Sequence, residues 1–563
     1  MNKNFLISLL IFIVILLTYF SSGNIGSGDS KWVLYTAMSI IREGNTSLNE
    51  YADIISKNYD YAVEILDGHV YNIFPVGVPV ISVPFLYAID LFGLKLFQFF
   101  HDLKDDPVDS FELNNAMKEA FPKRIELFIA SLITALTAVF LYKILLLQNI
   151  RFSLISIFIY AFCTSTWSTA SRALWQHGPS MLLLTLSLYL ILIADKKGWI
   201  IQFAAIPLFF SYIVRPTNSI SIIILSLFVF FHYRRYFIYF IFWALSIALP
   251  FIIYNKSVYG SLFSTYYNPG RILSFSSFPE ALMGNLISPS RGLFIFSPVL
   301  LFAIAGILIK YKQQNFKKLD LSLLLIILLH WIVISGYPQW WGGYSFGPRF
   351  FSDMIPFFIY FLSPVPGELI KQKGFRRSGL IVIGFGLLAF SFFVHFRGAN
   401  CRDTALWNAY PAGIDSRPQR VWDLNDIQFL RGIIKNNIDK IEFHLSLEPQ
   451  KPYYTGKDKP KLLVDIKSPN IWMRCKICIL LVKEDRLNTF ILYERSDDYK
   501  MAVKEVKIPP KMDYEGSPLF EINIPMVEIP ENIIGKYYIL IAAYNSKTNN
   551  LVSNVDIIGF EIK

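Results

Sequence analysis

Charged residues are scarce in this chain. Asp, Glu, Lys and Arg make up 17% of its 563 residues, against 54% hydrophobic and 16% aromatic, and the mean hydropathy is +0.42. So little charge over that length excludes an ordinary soluble protein and reads as a polytopic membrane protein. Cysteine is rarer still: Cys163, Cys401, Cys475 and Cys478 cannot build a disulfide framework of the small secreted kind. Cys475-Lys-Ile-Cys478 has the spacing of a redox or zinc pair, but no second pair and no nearby His accompanies it, and it lies in a β-like run. No small-residue cleavage site follows Asn2-Lys3-Asn4 and the apolar stretch Phe5 to Phe20, so the N-terminus reads as an uncleaved first span. No internal repeat or low-complexity tract is evident. The net charge is +11, yet the basic residues fall in short clusters between apolar runs. That is the positive-inside pattern and not a contiguous stripe for nucleic acid.

Segments of about 20 apolar residues, the length a bilayer needs, lie near 4–21, 125–147, 152–171, 178–195, 199–216, 217–233, 236–254, 292–310, 320–337, 349–364 and 378–396. Eleven crossings put the termini on opposite sides. One set of connections holds Arg151, Lys196, Lys197, Arg234, Arg235, Lys310 to Lys318 and Lys371 to Arg377, which assigns it and Lys3 to the cytoplasm. The stretch Phe74 to Gly93 is long enough to span, but Pro75, Pro79, Pro84 and Gly77 would break a lipid-exposed helix. It is expected to lie along or dip into the outer face.

The expected fold class is therefore a mainly α polytopic membrane protein of about 11 transmembrane helices over residues 1–397, with a long first outer loop at 21–124. After a connector at 398–439, rich in Trp, Asp and Arg, residues 440–563 are expected to form an extracytoplasmic β-sandwich. Its strands are placed at Lys461–Ile466, Lys476–Lys483, Phe490–Glu494, Leu519–Ile524, Lys536–Tyr544 and Val555–Ile562.

The outer ends of the spans collect ionisable groups that a bilayer should exclude: Asp29, Arg172, His177, Arg215, Arg291, Arg349 and Asp353, with Asn218 among them. Such residues mark a polar cavity by default. Four arginines on one side suit a phosphate or pyrophosphate, because guanidinium binds oxyanions bidentately and stays charged. Plainer roles stand beside these. Asp29 or Ser30 could cap a helix at about Lys31–Glu43, the arginines could snorkel to head groups, and His177 could be a satisfied helix-end residue. Trp340 and Trp341 could belong to an aromatic belt or to a loop shaped by the glycines after them, and Tyr259, Tyr266, Tyr267 and Arg271 of the 255–290 loop would help wall the cavity. Asp353 is expected to pair with Arg349, four residues earlier on a helix.

The chain has an outer-loop acid after the first span, a Phe-Pro-x-Gly segment, His177-Gly-Pro, Arg215-Pro-Thr-Asn, Ser288-Pro-Ser-Arg-Gly and Trp340-Trp-Gly-Gly-x-Ser-Phe-Gly-Pro-Arg349. In this order it resembles the bacterial GT-C membrane glycosyltransferases, similar to protein mannosyltransferases and aminoarabinose transferases, over about residues 1–430. The resemblance implies inverting transfer of a hexosyl or pentosyl unit from a polyprenyl-phosphate donor to a glycan, lipid or protein acceptor at the outer face of the plasma membrane. Asp29 would be the base. Arg172, Arg215, Arg291 and Arg349 would share the donor phosphate, and His177, Asn218, Tyr266, Trp340, Trp341 and Asp353 would contact substrate. The family often has two adjacent acids where this chain has Asp29-Ser30. That leaves a divalent metal open, with Glu43, Glu64 and Asp67 as the other acids of the loop; no further cofactor is implied. Two other classes remain, a lipid-linked glycan flippase or transporter and a non-catalytic envelope assembly protein. The first should show internal repeats and mid-membrane charge. The second would tolerate loss of Asp29.

Overall fold

The computed structural model describes residues 3–24, 26–52, 55, 61–89, 91, 114–267, 277–409 and 413–433, together with six strand segments beyond residue 441. The fold is mainly α, with seventeen α-helices among the described residues. Six are long and apolar enough to cross a membrane: Lys3–Ser21, Lys123–Leu147 within a longer helix, His177–Ala194, Arg234–Tyr259, Lys318–Ser335 and Arg377–Asn400. They suggest a multi-pass membrane protein.

The other five expected spans are interrupted. Ser153–Phe162 ends before a π-helical turn at Thr166–Ala170, and Gly198–Ala204 is 3-10 helix before Ala205–Val214 becomes α. Pro216–Asn218, Pro298–Leu300 and Arg349–Met354 are likewise 3-10 turns opening the helices Ser219–His232, Leu301–Lys312 and Ile355–Leu362. Such backbone is tolerated at membrane depth where protein surrounds it.

Burial separates inner from outer helices. The spans of Lys123–Leu147 and His177–Ala194 are each 67% buried, whereas those of Arg234–Tyr259 and Arg377–Asn400 are 17% buried. The outer ones carry exposed rows of large apolar residues, Ile238, Phe242, Leu245 and Leu249 on one and Val382, Ile383 and Phe385 on the other. In water such faces would cost about 25 cal/mol per Å² of exposed apolar surface; acyl chains remove that cost. Inside, Tyr19, Leu141, Tyr160, Leu188, Phe240 and Phe357 belong to one continuous core. Thr134 and Thr137 are accommodated there by donating to carbonyls one turn back, at 2.8 and 2.9 Å. At one end of the bundle Lys310 and Asp320, both buried, pair at 2.5 Å, and Tyr360 donates to the same carboxylate at 2.7 Å. Lys310, read above as one of a basic cluster, is thus neutralised locally.

The segment after the first helix is fastened at several points. Tyr19 donates to the carbonyl of Ala161 at 2.6 Å, Trp167 donates to Ser22 Oγ at 2.9 Å, and Asn24 donates to the carbonyls of Gly398 and Cys401. The expected broken helix is Gly77–Ile89, 13 residues with Pro84 inside it. At about 1.5 Å per residue, this described part is about 20 Å long. Gly77 lets its start lie directly on the backbone before Arg215: a Cβ there would be 2.7 Å from the carbonyl of Ile213 and from the nitrogen of Val214. A hairpin, Val63–Leu66 with His69–Asn72, turns at Asp67, whose φ is 48°.

The chain divides into two compact units, 1–405 with 418–433, and 406–417 with 434–563. The second has two antiparallel sheets. In one, Lys461–Lys467 lies between Glu442–Glu448 and Leu519–Ile522; in the other, Gly535–Asn545 lies between Cys475–Lys483 and Asp556–Ile562. Five of the expected strands fall on these segments, and Glu442–Glu448 was not foreseen. Phe490–Glu494 lies outside the described residues.

Candidate functional site

A cavity of about 540 Å³ opens between the loop after the first helix, the start of Gly77–Ile89, and the segments 174–177, 215–217 and 333–350. Asp29 sits on its wall. Its carboxylate accepts one hydrogen bond from Tyr61 Oη at 2.8 Å and an ion-paired one from Arg349 Nη1 at 3.0 Å. The helix after it, Val33–Arg42, has Trp32 at its N-cap position and no side-chain cap bond. Asp29 and Ser30 are therefore not its caps, and the acid is left facing the cavity.

Arg349 lies between two aromatic rings. Its guanidinium carbon lies 4.9 Å from the ring centre of Trp175 and 5.2 Å from that of Phe350, a stacking geometry that planar guanidinium favours. The loop before it, Trp340 to Pro348, turns on Gly342, Gly343 and Gly347, which all have positive φ near 60–75°. Those conformations account for the glycines of the motif.

Arg215 also lines the cavity, and its partner is Asp353 at 2.5 Å. His177 Nδ1 lies 3.4 Å from the other oxygen of Asp353 and contacts Arg215 as well. Asp353 is fully buried behind them. These are charge contacts whose N–H directions miss good hydrogen-bond alignment at the carboxylate. The expected Arg349–Asp353 pair is thus replaced by Arg349–Asp29 and Arg215–Asp353. The physical reason is the 3-10 form of Arg349–Met354: at three residues per turn, positions four apart diverge by about 120° instead of sharing a face.

The four arginines do not converge. Arg172 lies outside the cavity lining, donating to the carbonyls of Tyr19 at 2.5 Å and Ser22 at 3.4 Å, so it closes the end of the first helix. Arg291 donates to the carbonyls of Trp341, Ser290 and Gly343 and to Gln428 Oε1, and holds the glycine loop in shape. Of the four arginines, Arg215 and Arg349 line the cavity, and Arg172 and Arg291 do not. Asn218 is likewise internal, donating to Ser180 Oγ and to the carbonyl of Ser211. Trp340 is buried against Gly284 and Trp422, and neither it nor Trp341 lines the cavity. Tyr266 does line it, with its hydroxyl accepting from Gln176 Nε2 at 2.9 Å. Of the other acids, Glu43 is the C-cap residue of Val33–Arg42, and Glu64 and Asp67 belong to the hairpin. Among the described residues no three His, Cys, Asp or Glu side chains are grouped to hold a metal ion. Arg271 lies outside the described residues.

Three contributors were not singled out from the sequence. Tyr61 holds Asp29. Trp175 supports Arg349, is 7% exposed, and has a buried indole N–H with no acceptor among the described residues. Glu126, 6% exposed, accepts from the amide of Leu174 at 2.8 Å and from the Ser30 hydroxyl, joining the neighbours of Asp29 and Trp175. A lone acid inside an apolar span was the visible signal for Glu126; Tyr61 offered none.

The cavity's remaining wall is mixed: Val33, Phe74, Val78, Leu174, Val333 and Phe350 give it apolar and aromatic surface, and Gln176, His177, Thr217 and Gln339 add polar groups. An acid, two arginines and partly apolar walls at this size can seat a ligand with an anionic group and a hydrophobic part. No protein-family model, curated protein or solved structure matches the chain. What its sequence and structure establish is a mainly helical protein of no identified family, with six long apolar helices that could span a membrane.

Proposed function

We propose that the protein is a membrane glycosyltransferase that transfers a sugar from a polyprenyl-phosphate donor to an acceptor hydroxyl, with inversion, at the outer face of the bilayer. One observation carries the reading: Asp29, Arg349 and Arg215 face a single cavity whose other walls combine apolar and aromatic side chains with the polar groups of Gln176, His177, Thr217 and Gln339. The lipid-phosphate leaving group needs charge stabilisation, which Arg349 and Arg215 supply. The acceptor hydroxyl needs a base, which is Asp29, oriented by Tyr61 and Arg349. Trp175 and Tyr266 offer ring faces to the sugar in place of Trp340 and Trp341. In this reading the interrupted apolar segments complete eleven crossings of GT-C type, the N-terminus is cytoplasmic, and the C-terminal strands form an outer β-sandwich. The acceptor is a glycan, a lipid or a protein.

The test is incubation of the purified chain, in nanodiscs, with a panel of polyprenyl-phosphate hexoses and pentoses and a membrane extract that supplies glycan, lipid and protein acceptor hydroxyls. Polyprenyl phosphate is expected to be released, with the anomeric configuration of the transferred sugar inverted. No release from any donor would contradict the reading.

A further inference from the structure

The charges lining the cavity cancel in pairs, and the two pairs are unequal. Arg215 is matched by Asp353, a carboxylate sealed inside the protein at 0% exposure. Arg349 is matched by Asp29, whose side chain is 31% exposed on the cavity wall. An anion entering the cavity therefore finds no surplus cation, and the partner it can displace at least cost is Asp29. Arg349 itself is fixed by Trp175 and Phe350. It gives Nη1 to Asp29, while its buried Nε has no acceptor among the described residues.

We infer that Arg349 is shared between the base and the donor phosphate, passing from Asp29 to the phosphate as transfer proceeds; this rests on the glycosyl-transfer reading above. The donor phosphodiester carries one negative charge. As the acceptor oxygen bonds to the anomeric carbon, the bond from that carbon to the phosphate oxygen breaks and its electron pair stays on the phosphate. The acceptor's proton goes to Asp29. The phosphate monoester then carries a second negative charge and Asp29 carries none, so the total is unchanged. The cation follows the charge: Arg349 loses its carboxylate partner at the step in which the phosphate doubles its demand. When Asp29 releases its proton it competes again for Arg349 and expels the product.

The consequence is that Asp29 opposes product binding. The measurement is equilibrium binding of farnesyl phosphate, a short polyprenyl monoester, to the full chain in phosphatidylcholine nanodiscs. Asp29→Asn and, as a second replacement, Asp29→Ser are each expected to bind it about tenfold more tightly than wild type, the factor that about 1.4 kcal/mol represents. The gain should vanish when either is combined with Arg349→Gln. If both Asp29 variants bind no more tightly than wild type, or if the gain survives Arg349→Gln, the hand-over is wrong. Should wild type turn over a polyprenyl-phosphate sugar without showing this pattern, the hand-over alone fails. If wild type neither binds farnesyl phosphate nor consumes any donor, the glycosyl-transfer reading falls with it.

Discussion

Asp353 is the buried counter-charge of the cavity, and Asp353→Asn tests whether it acts as one. The substitution keeps the shape of the side chain and removes its charge. Arg215, 2.5 Å away and 6% exposed, would remain ionised beside an amide, with His177 3.4 Å from the same group. Asp353 is sealed from water and Arg215 touches only the cavity, so solvent screening softens the loss little. Breaking a buried pair from one side costs on the order of 3–5 kcal/mol, because the surviving charge is left uncompensated. Replacing both members by apolar residues of similar volume is far milder, since no charge then stays buried. Reversible unfolding of the detergent-solubilised chain in rising SDS measures this directly. Asp353→Asn and Arg215→Met should each lose several kcal/mol, and the Arg215→Met, Asp353→Leu double variant should lose less than the sum of the two. A loss below about 1 kcal/mol for Asp353→Asn, or additive losses in the double variant, would refute the pairing.

Two further outcomes follow from the geometry. Gly77→Ala should destabilise by about 1–3 kcal/mol in the same unfolding assay, because the new methyl meets backbone atoms of Ile213 and Val214 at 2.7 Å and neither helix can give way at a side chain; a stabilised variant would show that the two helices do not pack so closely. Arg172→Gln should lower stability while leaving the affinity for farnesyl phosphate within about twofold of wild type, because its donors end on carbonyls of the first helix. Weakening of ligand binding with unchanged stability would return Arg172 to the cavity.

That Asp29, His177, Arg215 and Arg349 lie at one cavity was legible in the sequence, because each is an ionisable side chain placed where an apolar segment ends; Tyr266 was read instead from the aromatics of the 255–290 loop. The pairing of the ionisable groups was not legible. Asp353 was assigned to Arg349 on the assumption of α-helical spacing, and a 3-10 turn that no residue pattern announces redirected both. Arg172 and Arg291 look in sequence like the other arginines. What separates them is the position of backbone carbonyls that tertiary packing brings within reach, and composition carries no trace of that. A helix after Phe74 was readable in the sequence, but it runs on through Pro84, where a break was expected. Interruptions at Thr166–Ala170 and Gly198–Ala204 were hidden inside continuous apolar runs, which specify burial more strongly than they specify α-helix. Tyr61 reaches Asp29 across 32 positions, and a tyrosine ahead of a hairpin is ordinary in any chain.

The central claim is that Asp29 is the base of a glycosyl transfer, and turnover by the isosteric Asp29→Asn variant tests it most directly. With a polyprenyl-phosphate sugar that wild type consumes, and with both proteins folded to the same extent, turnover should fall by about 10²-fold or more, the usual contribution of a positioned general base. Turnover within about twofold of wild type would contradict it.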